Sequence, residues 1–198
     1  MSILNLGFLV SHSGSNMQAI IDNVKTNNLT ANLCVLISNN RSSFALERAN
    51  IEKIPAFVIN DSTHPNGVDE EIVRLLKSYG VDTVILAGYM KLVSRYLIDS
   101  FNGRVLNIHP ALLPKFGGKG MYGINVHRSV IESGEQVSGA TVHLVSSKYD
   151  RGKILQQKEC SVNCGYETPD TLAAKVLEIE HSLYSDTLIK ISKGEIII

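Results

Sequence analysis

The chain has 198 residues, 44% of them hydrophobic, with 19 basic and 19 acidic side chains and a pI near 7.0. That length suits one sizeable core and is short for two, so a single domain over residues 1–198 is expected. Balanced charge argues against a nucleic-acid surface or an acidic tail and leaves small molecules as the expected partners. Cys34, Cys160 and Cys164 are odd in number and lack a Cys-x-x-Cys spacing, so reduced thiols in a reducing compartment are expected rather than a disulfide framework or zinc site. No leader pattern opens the sequence and no run reaches the ~18 apolar residues of a membrane span, which predicts a cytoplasmic protein with no membrane partner.

Ile3 to Val10 is an apolar run, followed by Ser11-His-Ser-Gly-Ser-Asn16 and then by Met17, Ala19, Ile20, Ile21 and Val24 at helical spacing. This predicts strand, loop and helix. A loop of small residues at a helix start presents backbone N–H groups and the positive end of the helix dipole to an anion. Gly14 permits close approach, Ser15 can donate a hydroxyl, and Asn16 can cap or donate. The loop lacks Gly-x-Gly-x-x-Gly and Gly-Lys-Ser/Thr, so one phosphate monoester fits it better than a dinucleotide or nucleoside triphosphate. An ordinary capped helix start is the alternative for this segment taken alone.

Asn32 to Ile37 predicts a second strand, and Phe44, Ala45, Leu46 and Ala49 a short helix after it. The intervening Asn39, Asn40 and Arg41 stand where a dinucleotide-binding fold would place a ribose-holding acid. Ala56 to Ile59 is a third strand. A helix over about Val68 to Tyr79 buries Ile72, Val73, Leu75 and Leu76, and the wholly apolar Thr83 to Leu86 reads as a central parallel strand. In Ala87-Gly-Tyr-Met-Lys-Leu-Val93 the apolar residues either pack beneath a helix at Arg95 to Asp99 or line a pocket for a flat apolar ligand.

Arg104 to Pro114, Arg-Val-Leu-Asn-Ile-His-Pro-Ala-Leu-Leu-Pro, is a strand stopped by Pro110. Period two puts Val105, Asn107 and His109 on one face and Leu106 and Ile108 on the other. A histidine that can carry a proton beside an uncharged amide donor can hold a carbonyl oxygen as it becomes an anion. The competing reading is a strand end bonded to its own loop. Lys115-Phe-Gly-Gly-Lys-Gly-Met-Tyr-Gly123 has four glycines and two lysines, which predicts a mobile, cationic loop before a helix over about Asn125 to Ser133.

Beyond Gly134 the pattern changes. Gly139 to Val145 alternates, Lys153 to Cys160 is a further strand, and the return between them predicts an antiparallel edge near residues 139–160 with Asp150 near its tip. From composition Asp150 is a turn former. Thr168-Pro-Asp opens a long helix over about Thr171 to Ile191, and Glu195 to Ile198 reads as a last short strand. The repeated strand-helix order predicts an α/β, doubly wound, mainly parallel central sheet.

Ser13-Gly-Ser-Asn-Met-Gln-Ala19, Leu86-Ala-Gly-Tyr-Met-Lys91 and Leu106-Asn-Ile-His-Pro-Ala-Leu-Leu-Pro114 occur in the order seen in one family, as do Ser138-Gly-Ala-Thr-Val-His-Leu-Val145, Asp150-Arg-Gly152 and Ile154-Leu-Gln156. Together they resemble the folate-dependent formyltransferases over nearly the whole chain. The resemblance implies transfer of a formyl group from 10-formyltetrahydrofolate, a co-substrate, to the amine of glycinamide ribonucleotide, without metal or covalent intermediate, by a monomer or homodimer. It implies Asn107, His109 and Asp150 as catalytic residues, with His109 an imidazolium that Asp150 favours. It implies Gly14, Ser15, Asn16 and Glu180 as substrate-binding residues, and Met90, Lys91, Leu92 and Val93 with Asn107 on the folate side. A phosphate-binding half, about 1–100, would precede a folate and catalytic half, about 101–198, and Leu113-Pro114 would be cis. The chain departs from the family at Lys91, where arginine is common, at His12, near which a glycine is common, and at His64-Pro65, where some relatives have an arginine. The glycine-rich stretch Gly117 to Gly123 is not universal in the family.

Overall fold

Five short runs rich in β-branched and aliphatic residues form parallel strands: β1 (Leu4–Val10), β2 (Ala31–Ser38), β3 (Ala56–Val58), β4 (Thr83–Leu86) and β5 (Val105–His109). Two later strands, β6 (Val137–Leu144) and β7 (Ile154–Ser161), add antiparallel to complete one sheet in the order β3-β2-β1-β4-β5-β6-β7. The computed structural model describes residues 2–163 and 165–198, so Cys164 lies outside the described residues. Between the strands run α1 (Ser15–Lys25), α2 (Phe44–Ile51), α3 (Val68–Ser78), α4 (Arg95–Ser100) and α5 (Ile124–Glu132), and α6 (Pro169–Ser192) follows β7.

Two apolar layers explain why the central strands read as continuous hydrophobic runs: each is buried on both faces. On one side Leu4, Leu6, Phe8 and Val10 of β1 meet Met17 and Ile20 of α1, Val130 of α5 and Leu172, Val176 and Leu183 of α6. On the other, Leu9 and Val35 join Ile72 and Leu76 of α3 and Leu97 of α4. This is the doubly wound arrangement that the strand-helix order predicts. The chain leaves β1 toward β2 and β3 and later returns to lay β4 on its other side, so a crevice opens at the carboxyl ends of β1 and β4.

Thr168 caps α6 through a reciprocal bond with Thr171, and Pro169 fits the first turn, where a missing N–H is harmless. Its buried Tyr184 donates its hydroxyl to the carbonyls of Leu106 at 2.9 Å and Leu86 at 3.3 Å, which ties the helix to the two strands that lead into the crevice.

The expected strand at Glu195 to Ile198 does not form. Gly194, at φ 77°, turns the chain out of α6, and the Glu195 N–H bonds back to the Lys190 carbonyl at 2.9 Å. The tail then packs Ile196 and Ile198 on the first core layer and leaves Ile197 exposed, so its alternation reflects one-sided packing without strand pairing. The Leu113–Pro114 bond is cis, as the resemblance implies.

Candidate active site

The crevice is a cavity of about 810 Å³, within the size range of small-molecule sites, lined by loops that follow β1, β4 and β5 and by the return between β6 and β7. At its β1 side Gly14 forms the first corner of α1 with φ 68°. A Cβ there would sit 2.6 Å from the Ala45 Cβ, so the close approach of α2 and the backbone geometry both require glycine. No side chain caps α1. Its first N–H groups therefore have no side-chain acceptor, the condition under which a helix start can meet an anion.

Asn16 connects this loop to the far end of the sequence: its Nδ2 donates to Glu180 Oε2 at 2.9 Å. Glu180 is buried, and that burial pushes its carboxyl up to about 7 even though the Asn16 bond pulls the other way. The Asn16 Oδ1 is buried with no partner, an acceptor that a ligand hydroxyl could satisfy.

Asn107 and His109 lie on one face of β5, where the antiparallel register sets Asn107 opposite His143 and His109 opposite Thr141. His143 donates from Nδ1 to the Leu144 carbonyl at 2.8 Å, and its Nε2 accepts from Asn107 Nδ2 at 3.2 Å. The second Asn107 N–H stays free for a ligand oxygen. Thr141 holds the loop beyond Pro110 by donating to the Ala111 carbonyl at 2.6 Å and accepting from the Leu113 N–H at 3.0 Å.

Asp150 is brought in by the return between β6 and β7, where a Cβ on Gly152 would lie 1.6 Å from the Leu144 carbonyl oxygen. Only glycine lets the return close that tightly. Asp150, at φ 52°, bridges the two histidines: Oδ2 is 3.6 Å from His109 Nδ1, and Oδ1 is 3.7 Å from His143 Nε2. The Gly118 N–H also donates to Oδ2 at 2.9 Å. Burial pushes this carboxyl up, but His143, the charge that His109 carries once protonated, and the Gly118 N–H together outweigh it and place it below the usual carboxylate range.

His109 behaves differently from the expected imidazolium. Its burial lowers its pKa, and the opposing pull of Asp150 and of the Phe116 carbonyl does not restore it. The ring is therefore neutral at rest near pH 7. The Phe116 carbonyl, 2.8 Å from Nε2, selects the tautomer with the proton there and leaves a Nδ1 lone pair facing Asp150. A proton arriving on Nδ1 would lie between ring and carboxylate, so the pair is set to receive one.

On the β4 side, Tyr89 and Val93 pack into the second core layer and Met90 and Leu92 stay exposed, while all four line the cavity, so this stretch serves packing and pocket together. The Met90 N–H donates to Ser11 Oγ at 2.9 Å, and Lys91 pairs with Asp61 at 3.4 Å. The cavity thus brings together all the residues that the resemblance implies, including Glu180.

Two lining residues, His143 and His127, lie outside the catalytic and binding sets that the resemblance implies. His143 is legible only through the β5–β6 register, and His127 of α5 looks like part of an ordinary Val126 to Val130 core stripe. Among the described residues no three His, Cys, Asp or Glu side chains gather as a metal-ligand set.

Residues 4–188 match the Formyl transferase family. The chloroplastic phosphoribosylglycinamide formyltransferase of Arabidopsis thaliana is 41% identical over 190 residues, covering 92% of this chain and 63% of that protein. The phosphoribosylglycinamide formyltransferase of Escherichia coli (strain K12) is 35% identical over 183 residues, covering 91% of this chain and 84% of that one. The chain spans less than two thirds of the Arabidopsis relative and 59% of the Vigna unguiculata one. The crystal structure of glycinamide ribonucleotide transformylase 1 from Symbiobacterium toebii superposes with a TM-score of 0.91 at 34% identity, covering 99% of this chain and 91% of that one. Because the match runs from β1 into α6 and takes in every loop that lines the cavity, the chain belongs to the formyl transferase family.

Proposed function

We propose that the protein transfers the formyl group of 10-formyltetrahydrofolate to the amine of glycinamide ribonucleotide, as a cytoplasmic enzyme of purine synthesis that acts as a monomer or homodimer and needs no metal. The observation that carries this reading is one cavity holding both an uncapped helix start suited to a phosphate and the Asn107, His109, Asp150 and His143 network.

The ribonucleotide phosphate sits on the N–H groups at Gly14, Ser15 and Asn16, and Glu180 with the free Asn16 Oδ1 takes sugar hydroxyls. The folate lies against Met90, Leu92 and Val93, with Lys91 toward its acidic tail. Residues 1–100 thus supply the phosphate loop and residues 101–198 the catalytic groups of one functional domain, with Glu180 and Met90 to Val93 crossing between the two.

The substrate amine attacks the formyl carbon as a free base, and the carbonyl oxygen becomes a tetrahedral oxyanion that accepts the free Asn107 N–H. The nitrogen gives up a proton to His109 Nδ1, directly or through one water, and Asp150 stabilises the imidazolium so formed. That proton passes to the folate nitrogen as the carbon–nitrogen bond breaks. His143 acts through Asn107 and Asp150, orienting both.

A formyl-transfer assay with each amine and folate tests the proposal, with a control lacking amine to measure hydrolysis. Turnover that needs the ribonucleotide supports it. Equal folate hydrolysis without amine would favour a deformylase instead.

A further inference from the structure

Resting on that reading, we propose that the glycine-rich loop 117–123 and the first turn of α5 form a second anion subsite, with Lys119 as its cation. This subsite closes on the phosphate of the ribonucleotide from the side opposite α1. Of the two lysines in residues 115–123, Lys115 is committed to Glu135 at 2.6 Å. Lys119 is exposed, lines the cavity and has no carboxylate partner among the described residues.

The loop delivers the chain into α5 through Gly123, at φ 54° and ψ −137°, a conformation that side chains rarely adopt. The α5 start has no side-chain cap and no acidic residue in its first turn, so its positive end is unneutralised. Gly123 and Ile124 line the same cavity as Gly14 to Asn16, which turns two uncapped helix starts toward one space.

His127, in the turn that follows, supplies an independent sign of a ligand. Its ring is 4% exposed and lines the cavity, yet its Nδ1 is buried without a partner. A buried polar atom without a partner in the chain calls for one from outside it. Burial and the nearby His109 push His127 down to about 4, so it meets a ligand oxygen as a neutral N–H donor.

The layers decide which anion the subsite takes. Phe116, Val130 and Ile131 belong to the core layer shared with α1 and α6, and α6 carries the Glu180 that holds the phosphate loop. Tyr89 and Val93, on the folate side, belong to the opposite layer. The loop is therefore rooted in the same layer as the phosphate loop, which is the ground for assigning Lys119 to the phosphate over the acidic tail of the folate.

The test uses the full chain and the variants Lys119→Ala and Lys119→Arg, with glycinamide ribonucleotide, its dephosphorylated riboside and inorganic phosphate as probes. Lys119→Ala should raise the ribonucleotide KM and the phosphate inhibition constant by about tenfold, the size of one charge-assisted contact. The riboside and folate KM values should stay within about twofold, since neither ligand brings the phosphate. Lys119→Arg should restore most of the loss. An unchanged phosphate constant, or a rise in folate KM instead, overturns the subsite while ribonucleotide turnover by the unmodified enzyme leaves the proposed reaction standing. If the unmodified enzyme shows no transfer, calorimetric titration with phosphate still reads the subsite: weaker binding by Lys119→Ala supports it, and equal binding refutes it.

Discussion

Glu180→Gln isolates the burial of one carboxyl. The native protein holds Glu180 at about 7, against an ordinary 4.5, because its surroundings exclude the water that would solvate a carboxylate. At about 1.36 kcal/mol per pH unit, that distance is about 3 kcal/mol. The sign follows from proton binding. Between pH 4.5 and 7 the native state keeps a proton that the unfolded chain has released, so Glu180 makes stability fall as pH rises through that window. Above 7 the loss is complete. Glutamine does not titrate, and its Oε1 can still accept from Asn16 Nδ2. The variant should match the parent near pH 4.5 and exceed it by up to about 3 kcal/mol at pH 8, a rise in Tm of about 6–12 °C for a chain of this size. Urea unfolding at pH 4.5, 6, 7 and 8 measures it. A difference that does not grow with pH, or a variant less stable at pH 8, would refute the reasoning. The same substitution should raise the ribonucleotide KM, because the one oxygen that glutamine keeps is taken by Asn16 Nδ2 and none is left to accept a sugar hydroxyl.

Three further substitutions separate the roles in the cavity. Asp150→Asn should lower kcat by about two orders of magnitude with ribonucleotide KM changed only a few-fold, because it removes the charge that stabilises protonated His109. The parent kcat should fall on the acid side with an inflection below 6.5, where the neutral His109 is lost; since Asp150 raises that pKa, the inflection in the variant should move to lower pH. His143→Ala should lower kcat by about tenfold or more with folate KM little changed, as Asn107 loses its Nε2 acceptor; an equal loss in a variant that keeps the acceptor, His143→Gln, would assign the effect to packing. Gly14→Val should raise ribonucleotide KM and leave folate KM intact, since the added carbons meet Ala45 beside the phosphate loop; parallel loss of folate binding would point to general disruption.

Most elements were legible because local pattern and tertiary demand agree. The runs at Thr83 to Leu86 and Val105 to His109 are apolar because both faces of a central parallel strand are buried, and the strand-loop-helix at Gly14 follows from its residue types. The Glu195 to Ile198 tail misled because alternating burial against a core gives the same period as a strand. Asp150 looked like a turn former, and it is one; only the return closed by Gly152 shows that its carboxylate reaches two histidines. His143 becomes visible once the β5–β6 register is known, which sequence spacing does not set. The resting charge of His109 is likewise a property of burial, since an identical His-Asp pair in water would favour the imidazolium.

The most direct test of the central claim is a single-turnover reaction of the purified protein with 10-formyltetrahydrofolate labelled on the formyl carbon. The label should appear on the amine of glycinamide ribonucleotide, and transfer should vanish in His109→Ala while ribonucleotide binding persists. Label released as free formate at the same rate with and without the ribonucleotide would contradict it.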